Sequence, residues 1–123
     1  MATLNDRVFD NGLTVLDTEA NRIDITSIEA TTYAEATSTN TLGNSTSLSI
    51  GAPADRAGGG REVTVAAITD GAVTNTGTAT HYAIVDTVNS RLLATGSLTA
   101  SQSVTSGNTF TLSSVAIGIP DPA

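Results

Sequence analysis

From residue 42 onward, aliphatic residues alternate with threonine and serine in short stretches that are separated by turn residues. A two-residue period places every second side chain on the same face, which is the pattern of a strand with one buried face. The clearest pair of strands covers residues 76–86 and 91–98, and residues 87–90 between them fit the tip of a hairpin. The pattern therefore predicts antiparallel strands over most of the chain.

Three other stretches of this part carry strand patterns. We predict strands over residues 45–52 and 62–69, with a turn at Asp70-Gly71, and a closing strand over residues 109–119. In the closing strand the apolar positions change parity at Ser113-Ser114, which indicates a bulge or bend. With two further strand candidates before residue 27, this gives about six to seven short antiparallel strands, which is typical of a single β-sandwich or barrel-like domain.

The first 26 residues predict an extended N-terminal arm that leads into a hairpin. Asn11-Gly12 is a favoured turn dipeptide, and residues 13–16 and 22–26 are short strand candidates. In the following segment alanine and glutamate favour a single helical turn around residues 32–36, whereas the clustered threonine and serine favour an irregular connection, which is the interpretation we adopt. We therefore expect an all-β protein of one domain with three parts. These are an arm and hairpin over residues 1–26, an irregular connection over residues 27–44 and a β-sandwich core over residues 45–123.

The composition limits the core and the stability of the isolated chain. Of the 123 residues, 39% are hydrophobic but only 3% are aromatic, so the core has to be built from valine, isoleucine, leucine and alanine. Each such side chain stabilises a fold by about 1.5–3 kcal/mol when it is fully buried. We expect a marginally stable monomer that gains further burial from partners.

The charge argues against nucleic acid as a partner. The formal net charge is −7, and all five basic residues are arginine. Such a surface repels phosphate backbones. No stretch approaches the roughly 20 apolar residues of a membrane-spanning helix, and the first residues, MATLNDRVFD, lack the features of a signal peptide. We therefore expect a protein that is made in the cytoplasm and has no membrane partner.

No residue pattern predicts a catalytic, cofactor or metal site. Cysteine is absent, and the single histidine, His81, lies in a strand pattern without a nucleophile motif beside it. Gly58-Gly59-Gly60-Arg61 lacks the lysine and the following helix of a phosphate-binding loop. The acidic residues do not have the spacing of a calcium loop, and two tyrosines and two phenylalanines are too few for a cleft that stacks sugars. We predict a non-enzymatic protein.

Several stretches of the chain resemble small proteins encoded by tailed bacteriophages and prophages. They are RVFDNGL at residues 7–13, GTATHYA at 77–83, RLLA at 91–94, SQSVTSGNTF at 101–110 and IPDPA at 119–123. The resemblance thus runs nearly end to end. It implies a virion component, and within that class we favour a decoration (cement) protein on the outer capsid surface. The resemblance supplies no catalytic motif.

A decoration protein of this kind would bind the major capsid protein and copies of itself, a trimer being one arrangement. An acidic chain without lysine suits the outside of a capsid better than the DNA-facing inside. The extended arm could add strands to the edges of capsid subunits, and many weak contacts on a lattice would add up. Equally, the arm could be no more than the first hairpin of the sandwich. The candidate contact residues are Arg7, Val8, Phe9, Asp10, Leu13, Arg22, Arg56 and Arg61.

Two alternative functions remain open on the sequence. A tail, head–tail connector or fibre-associated virion protein would have the same composition, and only its location and copy number would differ. A carbohydrate-binding or adhesin β-sandwich is the second alternative, against which the shortage of aromatic residues argues.

Overall fold

The structure is a computed structural model that describes residues 6–120, with side chains described from Asp10 onward. Its elements in chain order are α1 (Asp6–Glu19), β1 (Arg22–Thr26), a π-helix (Glu35–Thr39), β2 (Thr41–Ser45), β3 (Ala54–Asp55), β4 (Arg61–Val65), β5 (Ile68–Val73), β6 (Gly77–Asp86), β7 (Arg91–Val104), β8 (Thr109–Leu112) and β9 (Val115–Ile119). The predicted all-β class is confirmed, and the strands of the described residues pair in antiparallel fashion.

The described chain forms two compact units, each assembled from segments that are distant in sequence. The larger unit contains residues 20–48 and 68–112, and the smaller unit contains residues 6–19, 49–67 and 113–120. The larger unit is built on a curled six-stranded sheet in the order β7-β6-β1-β2-β5-β8. The smaller unit contains α1 and a three-stranded sheet in the order β3-β4-β9.

Strand β1 lies inside the larger sheet and is buried on both faces. Ile23 lies opposite Ile84 of β6, and both side chains are almost fully buried. Asp24 and Thr26, whose side chains point to the other face, are also buried. Because both faces are covered, each polar side chain of β1 needs a partner inside the protein.

The register of β6 and β7 explains how the larger sheet curls. His81 pairs with Ser97 but Ala79 pairs with Gln102, so β7 has more residues than β6 between these two pairs. Extra residues on one strand bend it. A short turn then leads from β7 at one edge of the sheet to β8 at the other edge, and Gln102 Nε2 donates to the Thr111 carbonyl at 2.7 Å. The two edges of the sheet therefore meet at this end.

An ion pair joins the helix to the sheet of the smaller unit. Arg61 Nε of β4 donates to Asp10 Oδ1 of α1 at 3.0 Å. Leu13 and Leu16 of α1 are buried, and so is Val63 of β4. The helix thus has one apolar face and one anchored carboxylate, which is how a short amphipathic helix is usually stabilised.

The extended arm predicted for the N-terminus is wrong over residues 6–19, which form α1. Phe9, Leu13 and Leu16 recur at intervals of four and three residues, which is helical spacing. Asn11-Gly12, a hairpin dipeptide in isolation, lies inside this helix. A glycine costs a helix about 1 kcal/mol relative to alanine, which the burial of two leucines offsets. Residues 1–5 of the predicted arm lie outside the described residues.

Two predicted strands also have other boundaries. The strand predicted over residues 62–69 is divided between β4, which ends at Val65, and β5, which begins at Ile68 in the other sheet. Strand β2 ends at Ser45, where the strand predicted over residues 45–52 begins, and in that stretch Ile50 forms only an isolated bridge with Val65. The hairpin of β6 and β7 with its tip at residues 87–90 is confirmed. The break predicted at Ser113-Ser114 is confirmed as well, because β8 and β9 belong to different sheets.

The predicted turn at Asp70-Gly71 lies within β5 instead. A Cβ atom on Gly71 would lie only 2.2 Å from the ring of Phe110, which pairs with it across the sheet. Glycine is therefore present because the buried aromatic ring occupies the space of a side chain. A glycine in this sequence context can mark either a turn or a strand position where another side chain packs closely, and the sequence alone does not distinguish the two.

Replacing Gly12 by alanine should stabilise the protein. A Cβ atom at Gly12 would meet Ile119 Cδ1 at 3.6 Å, an ordinary van der Waals contact. We expect Gly12→Ala to raise the free energy of unfolding by about 0.5–1 kcal/mol, measured by urea denaturation. Gly43→Ala is the matched control, since its Cβ would lie 2.3 Å from the Ala72 carbonyl oxygen and should destabilise. A loss of stability in Gly12→Ala would contradict the helix.

Candidate interaction surface

The larger unit holds a buried carboxylate near its centre. Asp24 is 0% exposed and accepts two bonds from the Arg22 guanidinium, Nε to Oδ1 at 2.7 Å and Nη2 to Oδ2 at 2.8 Å. The Thr41 hydroxyl of β2 donates to Oδ2 at 2.7 Å. The bond to Asp24 raises the pKa of Arg22 and keeps its charge. A bidentate arginine and a hydroxyl together satisfy the carboxylate, as its burial requires.

One apolar cluster holds the connection between β1 and β2 against the sheet. It consists of small or half-buried side chains: Ala30, Tyr33 and Ala36 from the connection, Ala83 and Val85 from β6, and Leu92 from β7. Ala83 lies opposite Asp24 in the ladder, and Tyr33 lies close enough to Arg22 to raise its pKa. The cluster therefore covers the face of the sheet that carries the ion pair.

A shallow, open depression of about 300 Å³ lies between this connection and β7. Its lining comes from two segments, Glu29, Ala30 and Thr31 on one side and Leu92, Leu93, Ala94 and Thr95 on the other. Thr31 is fixed by Glu35, whose Oε1 accepts from the Thr31 N–H and from its hydroxyl, both at 2.9 Å. These bonds lower the pKa of Glu35. Among the described lining residues, only Glu29 carries a charge.

Strand β7 is an edge of the six-stranded sheet, and no strand of the described residues pairs with its outer side. Between a bulge at Leu93 and the irregular stretch at 98–101, residues 94–97 keep regular antiparallel register with residues 81–84 of β6. Residues 92–104 contain no charge and no proline. Charged residues and proline commonly protect exposed edges from pairing. Residues 94–97 therefore present unpaired backbone groups without these protections.

The tip of the β6–β7 hairpin is held by Asp86. Its Oδ1 accepts from the backbone N–H of Val88 at 2.9 Å and of Asn89 at 3.3 Å, and its Oδ2 accepts from Asn89 Nδ2 at 2.8 Å. The Asn89 side-chain bond is the main cause of a lowered pKa of Asp86, and the charge of Arg91 acts in the same direction. The loop thus has a fixed conformation, closed by a side-chain turn.

Two large hydrophobic side chains of this unit are exposed. Val88, at the hairpin tip, is 81% exposed, and Ile28, next to Glu29 in the connection, is 58% exposed. Asn21 supports the tip through a reciprocal pair with Thr87, at 2.9 and 3.0 Å. Single exposed hydrophobic residues are common. We refer to residues 28–31, Val88 and residues 92–97 together as the β7 edge surface; within it Ile28, Glu29, Thr31, Val88 and Ser97 are exposed, residues 92–96 are half-buried and Ala30 is buried.

The structure places the contact residues predicted from the sequence in different surroundings. Asp10 and Arg61 are brought together in one ion pair, and Leu13 is buried in the helix face. Arg22 is engaged with the carboxylate of its own strand. Three others have side chains outside the described part of the chain: Arg7, Val8 and Phe9. Contact between these residues and a partner stays a prediction.

Arg56, the remaining candidate, folds back over the glycine loop that follows it. Its Nη1 donates to the carbonyl of Gly59 at 3.1 Å. Gly58, Gly59 and Gly60 all have positive φ angles, and a Cβ on Gly60 would lie 2.0 Å from the carbonyl oxygen of Ile119. The glycines are therefore required by a tight turn between two strands, as expected of a structural loop.

His81 is bonded to a neighbouring hydroxyl. Its Nδ1 lies 2.8 Å from Thr80 Oγ1, which donates its own proton to the Ser27 carbonyl at 2.8 Å. Because a hydroxyl has one proton, Nδ1 must be the donor in the bond to Thr80. The bond from Thr80 to Ser27 attaches the connection to β6, and a ring nitrogen that donates to the hydroxyl is not its general base.

Among the side chains that the structure describes, from Asp10 to Pro120, no group of three or more histidine, aspartate or glutamate residues is placed to hold a metal ion. In the same range, no helix has the length and apolar content that a membrane crossing needs.

The β7 edge surface was not predicted from the sequence. Its one local signal is the run of uncharged residues from 92 to 104, which is long for an exposed strand. Which strand lies at an edge depends on the pairing of distant segments, such as β1 with β6 and β2 with β5. Periodicity within a segment does not specify that order.

Removing the buried carboxylate should be far more damaging than removing an exposed one. Asp24→Ala leaves Arg22 and Thr41 without their acceptor, and we expect a loss of about 2–3 kcal/mol in the free energy of unfolding. Asp70→Ala is the matched control in the same sheet, because the exposed Asp70 carboxylate accepts only from serine hydroxyls and from no arginine: Ser47 at 2.9 Å and the buried Ser45 at 3.4 Å. We expect less than about 1 kcal/mol there. Equal losses would contradict the bracing role of Asp24.

Acid should weaken the hairpin tip through Asp86. Its folded pKa is lowered, so its contribution to stability is complete above the unfolded pKa and is lost as the pH falls through the folded pKa. The difference in unfolding free energy between wild type and Asp86→Asn should be constant from about pH 7 to 5 and shrink below about pH 4. Asn89→Ala removes the main cause of the shift and should flatten this dependence. A pH-independent difference would contradict the assignment.

Comparison with known proteins does not assign the chain to a family. No family model, no curated protein and no solved structure matches the chain.

Proposed function

We propose that the chain is a non-enzymatic structural protein of a bacteriophage particle, which decorates the outer surface of the capsid by binding the major capsid protein. The observation that carries the proposal is the β7 edge surface. It combines an unpaired strand edge, a shallow depression beside that edge and two exposed hydrophobic side chains, Ile28 and Val88. A surface of this composition suits binding to another protein.

The charge distribution supports a place on the outside of the capsid. The chain has a net charge of −7. Two of its arginines, Arg22 and Arg61, are already paired with carboxylates of their own units. The remaining surface is therefore mainly acidic, which suits a basic protein partner and is unfavourable next to packaged DNA. The resemblance of residues 7–13 and 77–83 to small phage proteins supports the same assignment.

The mode of attachment differs from the one expected of an extended arm. Residues 6–19 form a helix, so their backbone donors and acceptors are used within the helix and cannot add a strand to a capsid subunit. The outer side of β7 has that capacity. We therefore assign attachment to the β7 edge surface, and repetition on a lattice multiplies each weak contact.

Binding of the purified protein to phage heads that lack it tests this function. We expect saturable binding at many copies per head and better survival of the heads on heating. Val88→Ser should weaken binding at least about threefold, because it removes an exposed contact of the β7 edge surface without changing its support. Val15→Ser on α1, 38% exposed, is the matched control and should bind as wild type does.

The other outcomes separate the alternatives. Binding at a single vertex or at the tail would replace the decoration function with a connector or tail function. Saturable binding to glycans, with none to heads, would favour a carbohydrate-binding module. Equal loss in Val88→Ser and Val15→Ser would leave the β7 edge surface without support as the attachment site.

A further inference from the structure

We propose that residues 94–97 of β7 bind an extended, basic segment of the partner protein by strand addition, with side chains of that segment entering the adjacent depression. This inference rests on the proposed function only for the identity of the protein that supplies the bound segment. It specifies the chemistry of the partner: an unfolded or edge segment with small aliphatic side chains and a lysine or arginine placed to meet Glu29.

The backbone geometry supplies the first step of the argument. Residues 94–97 run in regular register with residues 81–84, so their outward N–H and C=O groups are spaced as in an ordinary antiparallel ladder. At one end this stretch is limited by the bulge at Leu93 and at the other by the irregular residues 98–101. A bound segment would therefore form a short ladder of about four to six residues.

The surroundings of this stretch supply the second step. On β6, the ring of Tyr82 lies against Gly96, where a Cβ atom would come within 2.6 Å of the ring, and burial raises the pKa of Tyr82. Thr95, the next residue along β7, lines the depression together with Ala94. An added strand would thus have a pocket for alternate side chains beside its ladder, which is how strand addition becomes selective.

Charge decides what kind of segment fits. Of the described residues lining the depression, only Glu29 is charged, and no ion pair found among the described residues involves it. Arg91, at the start of β7, is not among the residues that line the depression, and it lies close enough to Asp86 to help lower the pKa of that carboxyl. A basic residue in the bound segment would therefore be attracted. A second copy of this chain, with net charge −7, would be repelled.

The experiment uses the full chain labelled with ¹⁵N and titrated with capped peptides of about seven residues. One peptide alternates valine and threonine between two lysines, a second has glutamates at both ends, and a third has the lysines and N-methylated alternate amides. We expect the lysine peptide to bind saturably, to shift the amide signals of residues 94–97 and to slow the hydrogen exchange of those amides among them that face outward, at least about tenfold. The N-methylated peptide should not bind.

Charge variants provide the matched comparison. We expect wild type to prefer the lysine peptide over the glutamate peptide by about 3–10-fold. Glu29→Lys should abolish or reverse this preference. Asp17→Lys, on the exposed surface of α1, changes the net charge by the same amount and should leave it unchanged. An equal effect of both variants would mean that net charge acts at a distance, and it would overturn the role of Glu29.

Two results would overturn strand addition itself. The first is a peptide that does not bind or that shifts signals elsewhere in the protein. The second is protection of residues 94–97 without any peptide, rising with protein concentration, which would identify a second copy as the occupant. Ser97→Lys places a charge on the edge. If this variant no longer binds the peptide but still binds phage heads, the strand-addition inference fails and the capsid function stands. If the peptide binds and heads do not, only the capsid function fails.

Discussion

The burial of Asp24 is the constraint on which the rest of the larger unit depends. A carboxylate inside a sheet is tolerated only if its oxygens are fully bonded, and this requires Arg22 and Thr41 to occupy fixed positions. Arg22 precedes Asp24 on the same strand, whereas Thr41 lies beyond a long connection. The ion pair therefore specifies the register of β1 against β2 as well as the side of the sheet that the connection must cover. Apolar residues at these positions would fill the space but would not specify the register.

The candidate surface follows from this arrangement. Because the connection has to cover the ion pair, its first residues extend toward β7 and form one side of the depression. The other side is β7 itself, which remains an edge because its second half bends away to meet β8. The strand edge, the depression and the exposed hydrophobic residues thus all follow from the fold of the larger unit, and none of them requires an additional helix or strand.

The sequence alone was sufficient where a segment obeys a single local rule. The β6–β7 hairpin was predicted because both strands alternate and residues 87–90 carry turn residues. It was insufficient where two rules compete, as at Asn11-Gly12, a turn dipeptide inside a segment with helical spacing of Phe9, Leu13 and Leu16. At Gly71 the glycine reflects a ring packed across the sheet, which is information that only distant residues supply. The same applies to the site: periodicity predicted strands, but it could not identify β7 as an edge.

The division of the chain into two units has a consequence for folding. The backbone passes from one unit to the other after residues 19, 48, 67 and 112, so each unit interrupts the other in sequence. Once the larger unit forms, the segment 49–67 becomes a loop whose two ends are already close, and the entropy that the smaller unit must lose on folding is correspondingly reduced. Neither unit corresponds to a continuous piece of chain that could be expressed by itself. Shuffling or recombination of genes can therefore transfer this architecture only as a whole, which limits the ways in which it can evolve.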